Sequence, residues 1–142
     1  MGADGARNGR DWIAAVTAGG FYEIAAGPSA AQTARAAVDA ACVGLSPPAR
    51  QELRLLVSEL VTNSVRHSHA GSEDPVELRV AVFADRLRVE VSDHGTGFQR
   101  RVPTPERGSG SGWGLYLVDQ LADRWGVDRD EAIHVWFEID RD

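Results

Sequence analysis

Apolar and polar positions along the chain change period several times, and each change marks an element. Leu53, Leu56, Val57, Leu60 and Val61 recur at i, i+3, i+4, i+7 and i+8, the stripe of an amphipathic helix. Ser46 and Pro47 stand just ahead of it as N-cap and first helical residue, and the helix is predicted to run to about His67. An Ala-rich segment over 30–43, preceded by Pro28 and Ser29 and ended near Gly44, predicts an earlier helix. Period two then takes over. Val76, Leu78, Val80 and Val82 alternate with Glu77 and Arg79, and Leu87, Val89 and Val91 alternate again up to Asp93. These segments predict a hairpin turning at Ala84, Asp85 and Arg86, with one apolar and one polar face. Leu115, Leu117, Val118 and Leu121 predict a third helix over 113–125, and Ile133, Val135, Phe137 and Ile139 a last strand. A short strand is expected over 21–24.

Strands with one apolar face and three amphipathic helices make a two-layer α+β sandwich. Its helix, helix, hairpin, helix, strand order lacks the βαβ alternation of a doubly wound sheet. Residues 1–20 are small, polar and Gly-rich and read as a flexible leader; 21–142 form the single domain. The 142 residues suffice for one core, and 43% hydrophobic with 25% charged residues excludes a wholly disordered chain. No apolar run reaches the roughly 20 residues of a membrane span. The net charge of -6 argues against direct nucleic-acid or anionic-lipid binding. A single cysteine, Cys42, allows no internal disulfide and fits a cytoplasmic location. All 15 basic residues are arginine. A P-loop needs a lysine on the phosphates, so that kind of nucleotide site is excluded.

Three polar clusters interrupt the pattern at element ends. In Glu59-Leu60-Val61-Thr62-Asn63-Ser64-Val65-Arg66-His67, Glu59 and Asn63 lie four apart, about 40° from each other on one helical face. They are either a solvated face or a carboxylate and an amide oxygen aimed into a polar cavity, suited to a general base and a hard-metal ligand. In Asp93-His94-Gly95-Thr96-Gly97, Asp93 shares the parity of Val89 and Val91 and points into the layer between sheet and helices. It is either a turn initiator or a buried carboxylate that accepts from a ligand amine. Gly108-Ser109-Gly110-Ser111-Gly112-Trp113-Gly114-Leu115 is a Gly/Ser run entering a helix, either a linker or a phosphate cradle. The preceding stretch, 99–112, has the composition of a mobile loop.

In this order the three clusters resemble the N, G1 and G2 boxes of the GHKL, or Bergerat-fold, ATPases. The first cluster is most similar to the bacterial anti-sigma-factor serine-protein kinases, and Gly112-Trp113-Gly114-Leu115 is similar to their second glycine box. The resemblance implies a mixed, mostly antiparallel sheet covered on one face by helices. It implies ATP and Mg²⁺ as cofactors, with Asn63 holding the metal and Glu59 acting as general base. Asp93 would bind the adenine amino group, with Gly95 and Gly97 near the base. Gly110, Gly112, Gly114 and Leu115 would serve the phosphates, with Arg66 and His67 alongside the site. Residues 99–111 would form a lid from which Arg100, Arg101 or Arg107 reaches the γ-phosphate. It further implies an anti-anti-sigma protein as substrate and a sigma factor as second partner. The rival implication is a nucleotide-gated binding module without kinase activity. Two features depart from the family. No Thr or Ser stands at Ala132-Ile133-His134-Val135, on the adenine side, and residues 1–20 have no counterpart in its pattern. Two isolated histidines, His67 and His69, with no cysteine partner argue against zinc. Trp136 has outward parity and marks either an ordinary exposed aromatic or a dimer or partner surface.

Overall fold

The structure is a computed structural model and describes residues 18–42, 44–66, 75–93 and 113–141. Its elements are β1 (Ala18–Ile24), α1 (Ala30–Ala41), α2 (Pro47–Arg66), β2 (Val76–Val82), β3 (Arg86–Asp93), α3 (Trp113–Leu121), β4 (Arg124–Arg129) and β5 (Ile133–Asp140). The strands form one sheet in the order β1-β2-β3-β5-β4. All four described pairings are antiparallel.

Local chemistry accounts for the element boundaries. Ser46 accepts the Ala49 amide on its Oγ at 3.3 Å and the Arg50 amide on its carbonyl at 2.9 Å, which satisfies first-turn donors of α2. The predicted stripe of α2 is the buried one: Leu53, Leu56, Val57, Leu60 and Val61 are all at most 2% exposed. α1 stops at Ala41, and Cys42 takes the C-cap position, its amide donating to the Val38 carbonyl. The Cys42 thiol is buried, which pushes its pKa up to about 11, so it is a core residue rather than a reactive one.

Two expectations change. The first strand starts at Ala18, inside the segment read as leader, because Ala18, Gly19 and Gly20 continue the ladder against Val82, Ala81 and Val80. Gly19 has φ +146, and a Cβ there would sit 2.0 Å from the Val80 carbonyl oxygen, so only glycine lets the strand extend this far. The third helix ends at Leu121 instead of continuing to Trp125, and a strand, β4, follows. Leu115, Val118, Ala122 and Trp125 fit a helical stripe equally well. β5 leaves an edge that β4 pairs, however, and Arg124 forms ion pairs across that edge with Glu138 and Asp140.

The core lies between the sheet and the helices. One inner row runs Tyr22, Leu78, Val91, Val135, Val127; the next runs Ile24, Val76, Asp93, Ile133, Arg129. Asp93 is thus an acid placed between Val76 and Ile133.

The outer face has the predicted polar parity but is not solvated at its centre. Arg88, Glu90, Ser92, His134 and Glu138 are all at most 9% exposed. They tolerate burial because most of their polar atoms pair with one another or with neighbouring arginines, the Arg88 Nε excepted. Glu138 meets Arg124 at 2.8 Å, Arg88 at 3.1 Å and Arg86 at 3.3 Å. Burial pushes the Glu138 carboxyl up, but hydrogen bonds from Arg124 and Arg88 outweigh it and hold the group below its ordinary range. The Arg88 guanidinium also lies over the Trp136 ring, 4.2 Å from its centre.

Candidate functional site

α2 is anchored by its apolar stripe, and Leu60 of that stripe sits directly before the polar end of the helix. One turn on, Asn63 is drawn inward and is only 7% exposed. β3 delivers Asp93, its last residue, to the same place, 6% exposed. Ser64 donates its hydroxyl to Asp93 Oδ2 at 3.4 Å and so ties the helix to the strand. Leu60, Asn63, Ser64, Val91, Asp93, Ile133 and Val135 line one small cavity. Polar groups stand on its helix side and at the strand end; apolar walls come from β3 and β5.

The cavity encloses about 10 Å³. A cofactor pocket usually needs roughly 300 Å³ or more. The described residues therefore form the floor of a site, with an acceptor carboxylate, an amide and a hydroxyl beside flat aliphatic walls. That set suits a planar ligand bearing an amine, held at its edge by Asp93 and on its faces by the aliphatic side chains. The Asn63 amide oxygen is a hard donor of the kind that holds Mg²⁺ beside phosphates.

The other sequence-predicted residues do not line this cavity or lie outside the described residues. Glu59 lies half-buried on α2, one turn before Asn63, and is not among the cavity-lining residues. Arg66 is the exposed last residue of α2. Gly114 is in the first turn of α3, and Leu115 is buried in the core at 1% exposure. His67, Gly95, Gly97, Arg107, Gly110 and Gly112 lie outside the described residues, as does the stretch read as a lid. Sequence reasoning gave no role to Ser64 or to the Ile133–Val135 wall. The inward parity of β5 signals the wall, whereas Ser64 carries no signal beyond its place next to Asn63.

The geometry agrees with a wider likeness. Residues 24–137 match the histidine kinase-like ATPase domain, and the chain belongs to that family. Among individual proteins, the chain is similar to the serine-protein kinase RsbW of Listeria monocytogenes serovar 1/2a. The two are 34% identical over 104 residues, covering 65% of this chain and 66% of that protein. It is also similar to the serine-protein kinase RsbW of Bacillus subtilis strain 168, 32% identical over 97 residues, 60% of this chain and 61% of that protein. The matched part thus spans just under two thirds of these relatives. No helix among the described residues is long and apolar enough to cross a membrane.

Proposed function

We propose that the chain is an ATP-dependent protein-serine kinase that also acts as an anti-sigma factor. The observation that carries the reading is the meeting of Asn63 and Asp93, from two different elements, in one buried cavity. Likeness to proteins named serine-protein kinase supports it.

In this reading Asp93 accepts from the adenine amino group, and Leu60, Val91, Ile133 and Val135 pack against the base. Asn63 offers its amide oxygen to Mg²⁺, which neutralises phosphate charge when bound. The α3 start presents the backbone amides of Trp113 and Gly114 toward the phosphates, while Leu115 anchors that turn in the core. Glu59 takes the proton of the acceptor serine as its oxygen bonds to the γ-phosphorus. The bond from that phosphorus to the β–γ bridging oxygen breaks, and ADP leaves. The substrate is a serine of an anti-anti-sigma protein, the second partner is a sigma factor, and the protein works in the cytoplasm, as a homodimer if Trp136 marks a subunit contact.

A second reading, a nucleotide-gated binding module, is favoured by one observation: Glu59 does not line the cavity. Transfer of label from γ-labelled ATP to a partner captured from native extract separates the two. The kinase reading predicts that Glu59→Gln binds ATP almost normally yet lowers transfer by about 10²–10⁴-fold. Equal transfer by wild type and Glu59→Gln removes Glu59 as base, and absence of transfer by wild type favours the binding module.

A further inference from the structure

The strand pair that carries Asp93 into the cavity is fastened on its opposite face by a buried histidine. In the β3–β5 register Asp93 faces Ile133, and the adjoining pair is Ser92 with His134. Asp93 and Ile133 point inward and line the cavity; Ser92 and His134 point outward. His134 is only 4% exposed. Its Nδ1 lies 2.6 Å from Ser92 Oγ and 3.1 Å from Glu90 Oε2, and its Nε2 lies 3.0 Å from Asp130 Oδ1. The same Asp130 oxygen accepts the Ala132 amide at 2.9 Å, and the Asp130 amide donates to the Ala132 carbonyl at 3.0 Å. Asp130 thereby fixes the turn that leads into Ile133.

A carboxylate faces each ring nitrogen, and only an imidazolium supplies a proton to both. Ser92 then accepts from Nδ1 and turns its own proton to Glu90, 3.5 Å away. Among the described residues, Glu77 on β2 stands across from Ser92 and Asp128 on β4 across from His134; Arg79 is opposite Glu90. The Glu90 carboxylate raises the His134 pKa above its ordinary value, against the effect of burial and with help from Asp130.

We infer that His134 and Asp130 are positioning residues that, from behind the sheet, fix the Asp93–Ile133 wall and set the affinity of the cavity for a purine bearing a 6-amino group. The inference rests on the reading of Asp93 as the acceptor for that amine.

Calorimetric titration of the intact chain with Mg-ATP and with Mg-ITP, whose base lacks the amino group, tests it. In wild type, ATP binds more tightly than ITP, and this preference falls by about tenfold as pH rises and His134 loses its proton. Phosphate ionisation affects both nucleotides and cancels in the ratio, and the series is kept short of the alkaline range in which the hypoxanthine N1–H of ITP ionises. Asp130→Asn is a mild variant, because the side chain is 67% exposed and its amide oxygen still accepts from Ala132. His134→Gln reduces the ATP preference and flattens its pH dependence; Asp130→Asn, which keeps His134 but removes the charge at its Nε2, moves the loss of preference to lower pH; ITP affinity stays as in wild type in both. An unchanged ATP-to-ITP ratio in Asp130→Asn and across pH in wild type overturns the inference. So does equal weakening of both nucleotides, the mark of a merely structural role. A wild type that binds ATP and ITP equally well at every pH instead overturns the reading of Asp93.

Discussion

Asp93 is an acid set in an inner row of the sheet, between Val76 and Ile133, with the Ser64 hydroxyl among its partners. A buried carboxylate in such surroundings is costly unless it has donors. In the proposed reading a ligand amine adds a further donor. Asp93→Asn replaces an acceptor oxygen by a second donor facing that amine, so ATP affinity should fall by about 10- to 100-fold, the usual worth of a charged hydrogen bond, as read by titration calorimetry on folded protein. Asn63→Ala removes the amide oxygen from the same cavity. It should weaken Mg-ATP much more than metal-free ATP, a difference that titrations with and without Mg²⁺ reveal directly. Leu60 forms the apolar floor beneath both groups. Leu60→Ala should cost about 2–5 kcal/mol in denaturant unfolding, and unlike the two polar changes it acts on the fold.

At the scale of elements, glycine and capping chemistry set what the strands and helices do. A Cβ on Gly126 would stand 2.8 Å from the Trp136 ring, so the ring lies across the backbone of β4 only because position 126 has no side chain. Gly126→Val should therefore displace Trp136 and Arg88 stacked on it, lowering stability by about 1–3 kcal/mol as overpacking does, with a shift in tryptophan emission as its marker. The period of the hydrophobic pattern made α1, α2, the β2–β3 hairpin and β5 readable in advance, since each has one apolar face. It also made the inward direction of Asp93 readable, because parity along β3 is strict. β4 was not readable. Trp125 satisfies the helical stripe of α3 as well as strand alternation, and only the free edge of β5 decides between them. The buried state of the outer face was equally hidden, because a row of Arg, Glu, Ser and His reads as solvated. What makes it buried is the mutual pairing of residues far apart in the chain, such as Arg88 with Glu138 and Ser92 with His134.

Across the whole molecule, the ion pairs on the outer face link stability to pH in two opposite ways. The Glu138 carboxyl is held below its unfolded value, so its contribution is present above that value and is lost as acid protonates it below. His134 is raised, so its contribution is full below the ordinary imidazole range and disappears as pH climbs through the raised value. Thermal unfolding followed across pH should fall off on both sides, and His134→Gln should remove part of the alkaline limb alone. Glu138→Ala takes its carboxylate partner from Arg88, whose side chain is 11% exposed. It should cost about 3–5 kcal/mol, as removing one partner of a buried pair does. Replacing the pair together by apolar residues should cost far less.

The proposed nucleotide site unites these scales, since the sheet places Asp93, α2 places Asn63, and the family to which the chain belongs is an ATPase family. The most direct measurement is titration calorimetry of the folded wild-type chain with ATP in the presence of Mg²⁺. Saturable binding at a single site, weakened by about 10- to 100-fold in Asp93→Asn while the variant stays folded, is the predicted result. No binding heat at millimolar ATP, or full affinity retained in Asp93→Asn, would contradict the account.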